Sequence, residues 1–374
     1  MLSLLIMRKD VAIVLLSLAV LGAGLFFYAV SGPGNVNTDD VISIQHPAPS
    51  VGNVFIAQKN IPPKPIPDPG QVKAIHLSYG TYNSSRFSDI LAEIENSEVN
   101  AIIFEMKNPV GWVALDDDFH VSVLEELLPE LNRRGIYTIA RMVIFQDPVV
   151  VGQNPDFAIK NSATGGPWAD YKGVVWADPT NKAVWEYNVD IAKKALDVGF
   201  NEINFDYIRF PTDGPLSLVQ YSNLDEFGTR ENTIVNFAKY AKEELGINSV
   251  LSVDVFGITF IGDQKVIGQS IAKLAPYVDV IMPMPYPSHY PDGFIGYANP
   301  ADHPYEIMHY TMELGMKKLE GHNVIVRSWL QDFDLGAFYN DHEIKEQIRA
   351  VEEFDMEGWA LWNASNRYTW SAVR

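Results

Sequence analysis

The sequence predicts an α/β protein whose residues 71–374 fold as a (β/α)8 barrel, a TIM barrel. Three observations lead there. Short apolar runs recur eight times, amphipathic stretches of helical spacing separate them, and no nucleotide fingerprint follows the first run. The runs fall at 73–78, 101–106, 137–144, 202–206, 250–255, 280–284, 323–329 and 358–362. The helical stretches fall at 86–95, 121–134, 182–198, 229–245, 268–277, 304–319 and 342–354. Strands alternating with helices imply a parallel sheet, and a count of eight favours closure over an open sheet. With neither Gly-x-Gly-x-x-Gly nor a Walker sequence, nucleotide-binding open sheets lose support. A helix after the eighth run falls at or beyond Trp370 and is expected to be short or missing.

The region before the barrel reads differently. Arg8 and Lys9 precede an uncharged run over 11–30, about the length of a membrane-spanning helix. Residues 1–30 are therefore expected to be a signal anchor, with the basic flank in the cytoplasm and the remainder outside. A cleaved signal peptide is the rival, since Ala29-Val30-Ser31 offers a small-residue cleavage site. Either way the barrel is expected on the extracytoplasmic side: tethered to the cell membrane in a single pass, or secreted after cleavage. Residues 31–70 hold eight prolines and little hydrophobic periodicity, the composition of an extended linker.

Composition narrows the classes of function. Of 374 residues, 28 are basic and 47 acidic, for a net charge of −19. That disfavours nucleic acid, whose phosphates need a basic stripe. With no cysteine, disulfides, thiolate metal sites and cysteine nucleophiles are excluded. The eight histidines show no metal-ligand spacing, and Gly-x-Ser-x-Gly is absent. Asp116-Asp117-Asp118 reads better as a solvated acidic turn than as a calcium site. No metal and no cofactor is implied.

The strand ends carry the chemistry. Side chains alternate along a strand. In the fourth run Ile203 and Phe205 share one face, and Asn204 and Asp206 the other. In the fifth, Leu251, Val253 and Val255 oppose Ser252 and Asp254. In the second, Ile102, Phe104 and Met106 oppose Ile103, Glu105 and Lys107. The wholly apolar face should meet the helices. The other should point into the barrel and turn polar at its carboxyl end, where barrel enzymes keep their active sites. The first run adds His76 to that inner face, and the seventh adds Arg327 and Trp329.

Glu105, Asp206 and Asp254 thus share one rim. Paired carboxylates in a partly dry pocket suit glycosidic cleavage, one protonated to donate and one ionised to attack or to activate water. The bland alternative is that a single carboxylate caps a helix or pairs with Arg209 or Arg141. Aromatic residues crowd the same ends: Tyr79, Tyr82, Trp112, Trp168, Trp176, Tyr286, Tyr290, Trp329 and Trp362. Flat rings with a polar edge suit sugars. The long stretches 146–179 and 286–300 both follow strands and so belong to the same face.

Segment 199–214, GFNEINFDYIRFPTDG, resembles the signature of the DUF4015 family, glycoside hydrolases of TIM-barrel fold. Supporting segments are IIFEMKN (102–108), SVDVFG (252–257), MPMPYPSHY (282–290), RSWLQDF (327–333) and GWALWN (358–363). The resemblance runs from about Val72 onward. It implies a distant likeness to α-amylase-type barrels, whose fourth strand carries a nucleophilic aspartate and whose acid follows strand five. On that basis Asp206 is the expected nucleophile or principal carboxylate. Asp254 is the expected acid/base, with Glu105 as its competitor. Arg209, His289 and Arg327 are expected to orient carboxylates or bind hydroxyls. Tyr286, Trp329, Trp362 and His76 complete the expected substrate contacts. The expected substrate is an extracytoplasmic polysaccharide or cell-envelope glycan. A non-catalytic glycan-binding barrel is the alternative from another class, and a hydrolase of another polar polymer is a third.

Overall fold

A computed structural model of the protein describes residues 67–356 and 358–374. The expected anchor (1–30) and nearly all of the linker lie outside the described residues. Among the described residues no helix is long and apolar enough to cross a membrane.

The strands are β1 (Lys73–Leu77), β2 (Ala101–Lys107), β3 (Tyr137–Val143), β4 (Glu202–Asp206), β5 (Val250–Phe256), β6 (Val280–Met284), β7 in two pieces (Ile325–Val326 and Ser328–Gln331) and β8 (Trp359–Trp362). All pair in parallel. The sheet begins with the second piece of β7, runs through β8 and β1 to β6, and ends on the first piece of β7. Its two edges are therefore halves of one strand, interrupted at Arg327, and the result is a nearly closed α/β barrel.

The surrounding helices are α1 (Arg86–Glu95), α2 (Asp118–Arg133), α3 (Lys182–Val198), α4 (Arg230–Leu245), α5 (Ile271–Leu274), α6 (Pro304–Leu319) and α7 (Asp341–Glu352). After β8 comes only a short 3-10 turn, Trp370–Val373. Lys160–Asn161 pairs antiparallel with Val219–Gln220, tying the loop after β3 to the loop after β4.

Alternation sorts the core into two layers. Ile75, Ile102, Phe104, Ile203, Phe205, Leu251, Val253 and Val255 pack outward against the helices. Ala74, Ile103, Ile139, Met282, Trp329 and Ala360 fill the barrel. One side chain breaks the expected pattern. Alternation puts Lys107 on the inner face of β2, but the register shifts between Glu105 and Lys107, so Lys107 pairs with Met142 on the outer side. A bulge of this kind reverses the facing of the residues beyond it. Lys107 is buried under α3, 2.7 Å from Asp147 Oδ2 and 2.7 Å from Asn188 Oδ1.

Arg327 also departs from expectation. It faces inward, but at the floor rather than the mouth. The reason is that β7 runs on to Gln331, which puts Arg327 near its start. Its guanidinium donates to both Glu202 oxygens, at 2.7 and 3.1 Å, and to the Pro69 carbonyl at 2.7 Å. Neither side chain is exposed. Glu202 is level with Ile139 on β3, while Asn204 is level with Arg141, two residues nearer the mouth. The aspartates 116–118 do not gather around a common point. Asp117 caps α2 through the Phe119 N–H at 2.9 Å, and Asp116 pairs with Lys194 at 3.3 Å.

Removing one member of a fully buried ion pair strands the other. Glu202→Gln is expected to destabilise the fold by about 3 kcal/mol in denaturant titrations. The double change Glu202→Leu with Arg327→Met should recover most of that loss.

Candidate active site

Asp206, Asp254 and Glu105 come together around one residue, Arg141 of β3. Arg141 Nη2 donates to Asp206 Oδ2 in the shortest of the three contacts. Its Nε lies 3.8 Å from Asp254 Oδ2, and Nη1 lies 3.9 Å from Glu105 Oε1. The sequence marks Arg141 only as a possible partner of a structural carboxylate. Its inner-facing position on β3, in step with Tyr137 and Ile139, was the signal available. Burial alone would lower the Arg141 pKa, but Asp206, then Asp254 and Glu105, more than offset this and raise it.

The two aspartates are held differently. Asp254 Oδ1 accepts from Trp329 Nε1 at 2.8 Å and from Asn204 Nδ2 at 3.0 Å. Its Oδ2 has no hydrogen-bond partner. Burial, followed by the charge of Asp206, pushes the Asp254 pKa up to about 8 against the opposing pull of Arg141. In the protonated acid the proton therefore belongs on Oδ2, since both N–H donors occupy Oδ1. Asp206 makes the bonds of a carboxylate. Besides Arg141 it accepts from the Tyr207 N–H at 2.6 Å. Tyr207 has φ 53°, a left-handed conformation uncommon for an aromatic residue and typical of strained functional turns. Burial raises the Glu105 pKa too, with Arg141 opposing.

A family model described as "Putative glycosyl hydrolase domain", DUF4015, matches residues 74–368. The chain belongs to this family. Membership makes it a glycosyl hydrolase by class. Its fold is similar to the PgaB (BpsB) glycoside hydrolase domain from Bordetella bronchiseptica, with a TM-score of 0.58 at 9% identity over 78% of this chain and 94% of that one. At that identity the likeness shows the fold alone. A hypothetical protein from Ruminiclostridium thermocellum is 31% identical over 48% of this chain and 97% of its own, with a TM-score of 0.43. The α-galactosidase TtGalA from Thermus thermophilus gives 14% identity and a TM-score of 0.49, over 81% of this chain and 60% of that one. A search of curated proteins found no match.

Other expected residues of this DUF4015 barrel do line the mouth. His76 is buried against Trp362, ring centroids 4.4 Å apart, with both ring nitrogens unpartnered. Burial and then Arg141 hold its pKa well below the ordinary value, so it is neutral. The Arg141 guanidinium lies 5.1 Å from the Trp362 ring. Tyr286 is buried, packed on His289 and Phe333 at 5.2 and 5.7 Å. Its hydroxyl pKa is raised by burial, then by Asp254 and Asp206.

The hydrogen bonds fix the protonation of His289. Gln331 Nε2 donates to the Phe333 carbonyl at 2.9 Å, so its Oε1 must face Ser288. That oxygen accepts from the Ser288 N–H at 3.3 Å and from its hydroxyl at 2.9 Å. With its own proton committed, Ser288 Oγ accepts from His289 Nδ1 at 2.9 Å. The neutral imidazole then presents Nε2 as an acceptor. Burial pushes its pKa down to about 4.

Three expectations need correction. Arg327 belongs to the floor, as described above. Arg209 pairs with no carboxylate among the described residues, which leaves hydroxyl binding as its expected role; its guanidinium lies over aromatic rings, and Arg141 does the orienting. Trp329 is 1% exposed and holds Asp254 by its indole N–H, so it positions the acid rather than forming a platform. Among the rim aromatics, Tyr82, Trp168, Trp176 and Tyr290 are buried packing. Tyr79, Trp112 and Trp362 keep partial exposure.

The raised Asp254 pKa has a stability consequence. Its contribution is fully present below the unfolded aspartate pKa of about 3.9 and is lost as pH rises through about 8. Asp254→Asn removes that loss and keeps an acceptor for Trp329 and Asn204. Its stability relative to wild type should rise from pH about 4 to about 8 and then level off, as read by denaturant midpoints across pH.

Proposed function

We propose that this protein hydrolyses glycosidic bonds by a two-carboxylate mechanism, with Asp254 as general acid and Asp206 as nucleophile or base. The observation that carries this is the unequal holding of the two aspartates. Asp254 is kept protonated by burial, with its acidic oxygen free, whereas Asp206 is bound to a guanidinium. Neighbouring carboxylates of differing protonation are what acid-assisted departure of a sugar requires.

The proton on Asp254 Oδ2 passes to the glycosidic oxygen as the bond to the anomeric carbon breaks. Asp206 attacks that carbon, or takes a proton from the water that does. Asp254 is left as a carboxylate, stabilised by Trp329 Nε1, Asn204 Nδ2 and the nearby Arg141. If Asp206 attacked directly, Asp254 then takes a proton from the water that releases the sugar. Arg141, Asn204 and Trp329 are positioning residues. Neutral His76 and the Nε2 of His289 suit contacts with sugar hydroxyls, with Tyr286 and Trp362 against the ring.

A purely glycan-binding barrel is favoured where both carboxylates are locked in hydrogen-bonded ion pairs. Asp254 is not so locked, since Arg141 Nε stays 3.8 Å from its Oδ2 and that oxygen makes no hydrogen bond. Glu105 remains the rival acid, because burial raises its pKa as well. The expected setting is extracytoplasmic. There an anchor in residues 1–30 and a proline-rich tether would hold the barrel near a polysaccharide or cell-envelope glycan.

Asp206→Asn should lower kcat at least about 100-fold on a polysaccharide or peptidoglycan substrate, measured as reducing ends, while circular dichroism shows the fold retained. Retained turnover removes Asp206 from catalysis. Asp254→Asn should lose the natural substrate but keep much of its rate on aryl glycosides with acidic leaving groups, which need no proton. If Glu105→Gln shows that pattern instead, the acid is Glu105. The wild-type rate should fall as pH rises through about 8, as Asp254 loses its proton.

A further inference from the structure

Arg209 sits at the barrel mouth among aromatic rings. Its guanidinium carbon lies 4.8 Å from the Trp176 ring, 5.1 Å from Tyr207 and 5.0 Å from Phe256. These rings come from the loop after β3, the turn after β4 and the last residue of β5. Nη1 donates to the Phe210 carbonyl at 3.2 Å. Among the described residues Arg209 forms no ion pair, and its Nε and Nη2 have no protein acceptor. Asp206, Asp170 and Asp213 are near enough to act on its charge, yet none pairs with it, and burial outweighs them.

This is unusual in a chain with a net charge of −19, where carboxylates are plentiful. A cation taken partly out of water ordinarily acquires a partner. The three rings compensate in part by cation–π attraction and fix the plane of the guanidinium. With Nη1 engaged, the Nε/Nη2 edge is left, the edge that receives a carboxylate through two parallel hydrogen bonds. Asp206 is near enough to act on the Arg209 charge, so an anion there would belong to a sugar close to the scissile bond.

We propose that Arg209, on its Trp176–Tyr207–Phe256 cage, is the carboxylate-recognising residue of a subsite beside Asp206, and that the substrate is an acidic glycan. The inference deepens the hydrolase reading and rests on it for the position of the scissile bond. The recognised group is a carboxylate borne by a sugar ring, as in a uronic acid, or by a lactyl ether, as in muramic acid. The strongly acidic surface repels polyanions in general, so selection falls to this one site.

The test is equilibrium binding, which needs no turnover and so fails independently of the hydrolase reading. Full-length protein in detergent is titrated with oligogalacturonate, hyaluronan oligosaccharides and muramic-acid-containing glycan strands, each beside its carboxyl-reduced form. At least one acidic ligand should bind about tenfold or more tightly than its reduced form. Which one does so distinguishes the uronate from the lactyl source. Arg209→Gln should erase that ratio, and Arg209→Lys should keep part of it. Equal affinity for acidic and reduced forms, an unchanged ratio in Arg209→Gln, or no binding of any acidic ligand overturns the proposal. Should Arg209→Gln fail to fold, the wild-type ratio and Arg209→Lys still decide.

Discussion

The mouth of this barrel depends on a single buried cation. Arg141 lies among Asp206, Asp254 and Glu105, all on inner-facing strand ends and all largely removed from water. Three ionised carboxylates in that space would repel one another with little solvent to screen them. One guanidinium in contact with Asp206 cannot neutralise all three. The site settles this by division, Asp206 bound to Arg141 and Asp254 holding its proton. Uneven compensation thus creates the difference between the carboxylates on which the proposed chemistry rests.

A second ion pair lies at the other end of the barrel. Glu202 and Arg327 meet bidentately with no exposure, and the Pro69 carbonyl takes a further guanidinium proton. Arg327 is the residue at which β7 divides, and its side chain reaches across the barrel floor to Glu202 of β4. The interior has a closely paired charged layer at the floor, with Arg327 Nε left without a hydrogen bond, and an unevenly paired one at the mouth. Ile103, Ile139 and Met282 contribute apolar filling to the same interior. Structural charges are paired and reactive ones are left partly open.

The aromatic residues serve these charges more than they serve as open surfaces. Trp329 donates to Asp254, Trp362 backs His76 and Arg141, and Trp176, Tyr207 and Phe256 enclose Arg209. Ring faces in a dry mouth hold cations in place, and ring N–H groups orient carboxylates. The left-handed turn at Tyr207 links two of these groups, because its N–H fixes Asp206 while its ring packs on Arg209.

Much of this was legible in the sequence, because it depends on local periodicity. The strands and principal helices follow from runs of period two and 3.6, and the inward facing of Asp206, Asp254, Glu105 and His76 follows from alternation. What alternation cannot state is height along the barrel axis, or a bulge that reverses a face. Arg327 is therefore expected at the mouth but lies at the floor, and Lys107 is expected in the inner layer but lies in the outer one. Nor could the sequence choose between arginines. Arg209 follows Asp206 closely in the chain, but its side chain lies over rings. Arg141, on the neighbouring strand, reaches all three carboxylates. The chain by itself determined which residues of an unbulged strand share the interior face, since alternation is a property of each strand alone. Tertiary structure decided which of them meet and how unequally each charge is compensated, since both depend on strand register and on what closure removes from water.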